Sequence, residues 1–283
     1  MINNKKVEIA NDTLNIIKLG YYQTRKGPVK IKDYLQFAIK NTVLYNPDMG
    51  SIINSKFKEI EVNDSNKAII EITNETTLQA TERLSEEGDN NLCCLNFASA
   101  KHPGGGFLKG SVAQEETLAR SSGLYPCISQ IQEMYNYHLY DKKTALYSDY
   151  MIYSPKVPFF KDDNGGLLEN PYLASVITSA AVNAGVIKRS EPYNISKIDE
   201  VMINRIDKIL SIGVIHGVDC IVLGAFGCGV FANDPNKVAD YFKSILLNSD
   251  KYTSLYKKIV FAIYDKTPNK NNYKCFKDIL DCK

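Results

Sequence analysis

Two stretches of the chain combine glycines, carboxylates and an amide at spacings that suit chemistry on a polar ligand. The first runs Asn96-Phe97-Ala98-Ser99-Ala100-Lys101-His102-Pro103-Gly104-Gly105-Gly106 and continues to Gln114-Glu115-Glu116. Consecutive glycines cost conformational entropy on folding, so a folded domain keeps them where backbone must approach a ligand or adopt dihedrals that a side chain forbids. Their amide N–H groups can line an anionic or polyhydroxyl ligand. Read alone, Gly-Gly-Gly serves equally as a flexible surface turn. Its place after the apolar run 92–98 favours the ligand reading, because α/β sheets bind ligands at the carboxyl ends of strands. A helix is expected to begin near Gln114, where two acids could simply be a solvated first turn facing the helix dipole. Adjacent helical side chains diverge by ~100°. Glu115 and Glu116 would therefore not oppose each other across a bond as the two separate carboxylates of a standard glycosidase do. One would act on the bond while the other holds the substrate, and the acting carboxyl would need its pKa raised by burial or a neighbouring anion.

The second stretch is Gly224-Ala225-Phe226-Gly227-Cys228-Gly229-Val230-Phe231-Ala232-Asn233-Asp234-Pro235, after the apolar run 220–225. Gly227 and Gly229 would expose N–H groups close to a helix amino terminus, which suits a diphosphate. The stretch has neither the G-x-x-x-x-G-K-[ST] order of a nucleotide-triphosphate loop nor the G-x-G-x-x-G spacing of a dinucleotide fold. Phe226 and Phe231 flank the loop and could each pack on a ribose or base; core packing is the alternative for both, and suits Phe226 better than Phe231. Cys228 as a thiolate nucleophile would need a base, and His102 is the histidine nearest the glycine loop. A small buried thiol between glycines explains Cys228 equally well. His138, among Tyr135, Tyr137 and Tyr140, reads as structural, and His216, just before Gly217, as a helix-end residue.

The elements that must carry these loops are short apolar runs at 68–72, 92–98, 146–153, 173–178, 220–225 and 259–264. Most are apolar on both faces, as strands of a covered, largely parallel sheet should be, and amphipathic stretches between them predict crossover helices. Helix starts are expected at Asn11-Asp12, at Ser196-x-x-Asp199 as a capping box, and at Asp234-Pro235. A further helix is expected over residues 34–39. The fold class is therefore α/β, with residues 1–66 a helical amino-terminal extension packed on a core of residues 67–283. No Pro/Gly/Ser linker divides them, so one structural unit is expected.

The 283 residues carry a net charge of +2, which does not point to a nucleic-acid or membrane-surface binder. The seven cysteines show no C-x-x-C pair and sit partly in strand-like runs, against a disulfide framework or a structural zinc site. No apolar run approaches the ~20 residues of a membrane span. The amino terminus shows no secretory signal, so a reduced, cytoplasmic protein is expected.

Pro103-Gly104-Gly105-Gly106, seven residues, then Gln114-Glu115-Glu116 resembles the G-G-G-x(6–8)-Q-E-E signature of the poly(ADP-ribose) glycohydrolases. The surroundings resemble the compact microbial type, which is a macrodomain. They include Val62, the run from Ile70 to Leu78, Asn96-Phe97-Ala98, Val176-Ile177-Thr178-Ser179 and the second glycine stretch. Echoes at Lys18-Leu19-Gly20-Tyr21-Tyr22 and from Val260 to Asp265 extend the likeness over nearly the whole chain.

The resemblance implies a macrodomain-like mixed, largely parallel sheet and hydrolysis of ribose–ribose bonds from the polymer terminus. Glu116 would protonate the departing ribose 2′-oxygen and then deprotonate water, while Glu115 holds ribose hydroxyls and Gln114 helps shape the pocket. Gly104, Gly105 and Gly106 would let the loop close on the terminal ribose. Gly227, Cys228, Gly229 and Val230 would wrap the diphosphate, Phe231 would lean on the ribose, and Asn96 and Thr178 would stand in the pocket wall. No metal and no cofactor is implied. The implied partners are ADP-ribose, poly(ADP-ribose) or ADP-ribosylated macromolecules, with no membrane, and with nucleic acid only if the substrate is ADP-ribosylated DNA. Rival readings are a hydrolase of ADP-ribosylated DNA or protein side chains, and a non-catalytic ADP-ribose reader. Two departures touch local packing and the adenine side: Phe226, where relatives often have a larger aromatic, and Ala180-Ala181, where they often have proline.

Overall fold

Apolar runs that offer neither face to water are satisfied inside a sheet covered on both sides, and the chain uses them so. The structure, a computed structural model, describes residues 4–60, 67–89, 91–141, 144–248 and 251–281. Val62 and Cys282 lie outside the described residues. The chain opens with α1 (Asn4–Leu19), a hairpin of β1 (Tyr21–Thr24) and β2 (Gly27–Lys30), α2 (Lys32–Lys40), β3 (Val43–Tyr45) and α3 (Gly50–Lys58). Then come β4 (Ile69–Thr73), α4 (Thr77–Glu86), β5 (Leu92–Phe97) and three short helices, α5 (Gln114–Ser121), α6 (Leu124–Ser129) and α7 (Gln132–Asn136). The long strands β6 (Met151–Lys161) and β7 (Leu167–Ser179) lead to α8 (Ala184–Ser190), α9 (Ile198–Ile215) and β8 (Cys220–Leu223). α10 (Pro235–Leu246), β9 (Lys258–Ala262) and α11 (Asn271–Leu280) complete the order.

Among the described residues the main sheet has seven strands in the order β3-β6-β7-β5-β8-β9-β4. β7, β5, β8, β9 and β4 pair in parallel, and β6 and β3 add an antiparallel edge. Alternation along β5 divides the interior. Cys93 and Leu95 join one apolar cluster with α9, α10 and α11, whereas Leu92 and Cys94 join the other with α4, α5 and α6. No helix among the described residues is long and apolar enough to cross a membrane. The consequence for function is positional. β5 lies beside β8, with Leu92 opposite Cys220, so the two glycine stretches leave adjacent parallel strands at the same rim.

Several local expectations give way to tertiary contacts. α1 runs through Asn11-Asp12 without a cap, because Asp12 pairs with the buried Lys161 at 2.7 Å and the Thr13 hydroxyl donates to the Arg120 carbonyl of α5. Ser196 and Asp199 form no capping box. α9 begins at Ile198 without a side-chain cap, and Asp199 instead meets Lys237 and the Tyr241 hydroxyl of α10. Asp234-Pro235 does start α10, with the Asp234 side chain accepting from the Asn236 N–H. Within residues 1–66 the chain adds β1, β2 and the sheet-edge strand β3 to its helices. The expected strand at 146–153 starts only at Met151 and runs on to Lys161, passing Pro155 at a register shift between Ser154 and Val157. Pro155 is tolerated there because β3 pairs only with Met151 to Tyr153.

The residues ahead of β6 are claimed by Arg205, which is fully buried on α9. Its guanidinium donates to Asp149 Oδ1 at 3.0 Å, Leu146 O at 3.1 Å, Ala180 O at 2.9 Å and Tyr147 O at 3.4 Å. It thereby ties the approach to β6 to the end of β7. Arg205→Ala would leave these acceptors without their donor in an apolar setting. It is expected to cost about 3–5 kcal/mol, the usual loss when one partner of a buried pair is removed, measured by urea unfolding.

Candidate active site

The rim above β5, β8, β9 and β4 holds a cleft of about 960 Å³. Its walls include Phe97, Ser99, Glu115, Glu116, Cys228 and Phe231. The carboxylates reach it because α5 begins at Gln114, with no side-chain cap, directly beside the strand end. Gln114 fastens that helix: its Oε1 accepts the Phe97 N–H at 2.9 Å, and its amide donates to Leu95 O at 2.7 Å and Thr77 Oγ1 at 3.1 Å. Gln114 touches the cleft, but its polar atoms are spent on β5 and α4.

Glu115 is 3% exposed and Glu116 8%. Glu115 is held by three donors, the Ser99 N–H at 2.7 Å, the Gly104 N–H at 3.2 Å and Asn96 Nδ2 at 3.4 Å. Glu116 Oε1 accepts the Gly106 N–H at 2.9 Å, whereas its Oε2 is buried with no partner among the described residues. Burial pushes the Glu115 carboxyl up to about 8. The Ser99 N–H opposes that rise, the Glu116 charge adds to it, and Asn96 and the Gly104 N–H oppose it further. The pair converges on the glycines: a methyl placed on Gly105 would lie 2.4 Å from Glu116 Oε1 and 3.0 Å from Glu115 Oε2. Gly105 also has φ +58°, a region that side chains rarely adopt. The conformation and the close approach both require glycine.

Asn96 and Thr178 are fully buried side by side, with Asn96 Nδ2 donating to Thr178 Oγ1 at 3.2 Å. They stand behind Glu115 and do not reach the cleft surface, a correction to their expected place in the wall. Arg120, one turn beyond Glu116, donates to Ser111 O and to Thr117 Oγ1 at 3.4 Å, which ties the far end of the glycine loop to α5.

The loop after β8 forms the opposite wall. The N–H groups of Gly227, Gly229, Val230 and Phe231 donate to no acceptor among the described residues, so four amides are available to an anion. Asn233 fixes the loop by donating to Gly227 O at 3.0 Å and Val182 O at 2.7 Å. Phe226 is buried against Phe97, whereas Phe231 is half-buried at the cleft. Cys228 is poorly placed to act as a thiolate. Burial, with Asp234 adding, pushes its thiol up to about 12, and His102 is exposed, with its backbone N–H on Ser99 Oγ. His138 and His216 are structural. The first accepts from the Ser148 N–H at 3.0 Å and the second stacks on Tyr153.

The sequence does not single out the other cleft residues, although Thr76, Thr77 and Tyr264 lie in runs that carry the resemblance. Lys6 of α1, Thr76 and Thr77 before and in α4, Asp163 in the β6–β7 turn, and Tyr264 and Lys266 after β9 all line it. Thr76 alone had a legible local role. It caps α4 through a capping box with Gln79, and it donates to Asp163 Oδ2 at 2.7 Å.

Comparison with known proteins points the same way. The sequence family described as the catalytic domain of microbial-type PARG matches residues 10–162. The crystal structure of poly(ADP-ribose) glycohydrolase from Thermomonospora curvata is 39% identical, with a TM-score of 0.92, covering 98% of this chain and 100% of that one. The same enzyme bound to the inhibitor ADP-HPD gives 39% and 0.89 over 98% and 99% of the two chains. The enzyme from Deinococcus radiodurans in complex with ADP-ribose gives 36% and 0.81 over 87% and 97%. No curated protein matches.

Two glycines of the loop after β8 make opposite demands on added bulk. A methyl on Gly227, at φ +78°, would meet Asn233 Nδ2 at 2.5 Å and Ala181 Cβ at 2.6 Å, whereas one on Gly229 would meet nothing within 4 Å. Gly227→Ala is therefore expected to lower the melting temperature by several degrees, with a cost of about 1–3 kcal/mol for overpacking and strain. Gly229→Ala should melt as the wild type does.

Proposed function

The chain belongs to the microbial-type poly(ADP-ribose) glycohydrolases, and from that premise we propose that it releases ADP-ribose from the free end of the polymer with Glu116 as the proton donor and acceptor. The observation that carries the assignment is the contrast between the two carboxyls. Both oxygens of Glu115 are engaged by protein donors, whereas Glu116 keeps Oε2 without a partner. A buried polar oxygen without a partner is one that a ligand group would complete. An oxygen tied to no protein donor is the one left to exchange a proton with substrate once the loop adjusts around the sugar.

The step follows from that geometry. Burial holds the Glu115 carboxyl up to about 8, so Glu115 brings a proton to the site at neutral pH and can pass it to its neighbour. Glu116 gives it to the departing ribose 2′-oxygen as the glycosidic C–O bond breaks and positive charge develops at the anomeric carbon. Water then attacks that carbon, and its proton returns to Glu116, leaving ADP-ribose and a polymer shorter by one unit. Glu115 holds the ribose hydroxyls, Gln114 keeps α5 in place, and Gly104, Gly105 and Gly106 let the loop close on the sugar. The free amides of Gly227, Gly229, Val230 and Phe231 suit the diphosphate, with Cys228 filling the turn between them and the Phe231 ring against the ribose. Asn96 and Thr178 act from behind, through Glu115. Residues 67–283 form the catalytic core in this reading, with residues 1–66 an extension packed on it. ADP-ribosylated macromolecules are the natural bearers of its substrate, and reduced, buried cysteines such as Cys93, Cys94 and Cys220 suit a cytoplasmic setting.

Glu116→Gln is expected to lose about 10²–10⁴-fold in ADP-ribose release, the usual share of one positioned acid, while binding ADP-ribose close to the wild-type level. Release by the variant at the wild-type rate would remove Glu116 from the chemistry. A wild type that binds ADP-ribose but never shortens the polymer would favour a reader, or a hydrolase of DNA or protein linkages. The pH profile carries a sign as well. The active pair is protonated, so release should fall as pH rises through about 8, when the raised Glu115 carboxyl ionises beside Glu116.

A further inference from the structure

Two residues with bulky or methyl side chains hold left-handed backbone where the β6 approach meets the diphosphate loop. Tyr147 has φ +54° and Ala232, directly after Phe231, has φ +53°. Side chains rarely adopt this region, and such strain persists where the surroundings over-determine it, often at functional sites. The surroundings here do so. Arg205 donates to the Tyr147 and Leu146 carbonyls, and the Tyr147 N–H donates to Thr144 O at 3.2 Å. On the next residue, the Ser148 N–H and hydroxyl both meet His138 Nε2. On the Phe231 side, the Gly185 N–H donates to Phe231 O at 3.0 Å and the Ala232 N–H to Gly229 O at 2.9 Å.

The strained backbone has one visible result: it directs the Tyr147 ring. One side of that ring takes the edge of His138, with centroids 5.5 Å apart at 85°. Phe231 lies 5.9 Å from it, tilted at 47°. Phe231 lines the cleft and Tyr147 does not, so any influence of Tyr147 on a ligand passes through Phe231.

We propose that Tyr147 is a positioning residue for substrate, a buttress that sets the angle at which Phe231 faces the cleft. The inference rests on the reading of Phe231 as a ribose contact. Phe231 is half-buried and packs on one side against the apolar core, and the Tyr147 ring is the aromatic contact that holds it from the other. Without that ring it would be freer to turn off the sugar.

The test is a double-mutant cycle read by calorimetric titration of ADP-ribose and by steady-state release from poly(ADP-ribose). The variants are Tyr147→Phe, Tyr147→Leu and Phe231→Ala, and each Tyr147 change combined with Phe231→Ala. Tyr147→Leu keeps bulk but loses the flat ring, and it is expected to weaken binding by up to about tenfold, the scale of an aromatic pair. Its KM should rise more than its kcat falls. Tyr147→Phe should retain the wild-type affinity, and Tyr147→Leu should cost nothing further once Phe231 is Ala. Wild-type affinity in Tyr147→Leu, with or without a drop in melting temperature, would overturn the proposal. So would a loss of equal size in the Phe231→Ala background. Wild-type affinity in Phe231→Ala would instead sink the ribose-contact reading, and the buttress with it.

Discussion

Burying two neighbouring carboxyl groups is the constraint on which the rest of the site depends. An ionised carboxylate without partners in a protein interior is too costly to keep, so the surroundings must supply donors or leave a proton in place. Here they do both. Ser99, Gly104, Gly106 and Asn96 supply four donors, and burial holds the Glu115 carboxyl up to about 8. Each donor needs its own piece of the fold. The Ser99 N–H needs β5 to end at Phe97, and the Gly104 and Gly106 N–H groups need a turn through φ +71° at Gly104 and φ +58° at Gly105. α5 must dock closely enough for Gln114 to bond Phe97, Leu95 and Thr77.

The loop after β8 obeys a different rule. It presents N–H groups with no acceptor, which is tolerable only where water or an anion can reach them. Gly229 and Val230 are accordingly exposed, while Asn233 and Phe226 anchor the loop from below. A hydrogen-bonded acidic wall and a donor-rich wall thus face one cleft. They come from β5 and β8, strands far apart in the chain and adjacent in the sheet. An anionic ligand can be oriented end for end by such a pair, with its phosphates on the amides and its sugar at the carboxyls.

Much of this was legible in the residues. Apolar runs located β4, β5, β8 and β9 to within a few positions, and the order strand, glycine loop, Gln114-Glu115-Glu116 placed the start of α5. What failed was local signalling overruled by distant partners. Asp199 abandons a capping box for Lys237 and Tyr241, and Asp12 prefers the buried Lys161 to a cap. Val43–Tyr45 is three residues long and becomes a strand only because β6 is there to pair with it. Depth was also invisible. Asn96 and Thr178 lie opposite each other in register, but nothing in their spacing says that Glu115 covers them. Lys6, Asp163 and Tyr264 come from three remote segments, and only the packing of α1 and the β6–β7 turn beside the rim brings them to the cleft.

The acidic wall depends on a proton that the buried Glu115–Glu116 pair keeps at neutral pH. Carbon-13 titration of the glutamate side-chain carboxyls, in wild type and in Glu116→Gln, reads it directly. In the wild type the Glu115 carboxyl is expected to titrate near 8, and this transition should move to lower pH once the neighbouring charge is removed. Ionisation of the Glu115 carboxyl in the ordinary range of about 4 to 5 would contradict this, since the site would then hold no proton for the leaving oxygen at neutral pH.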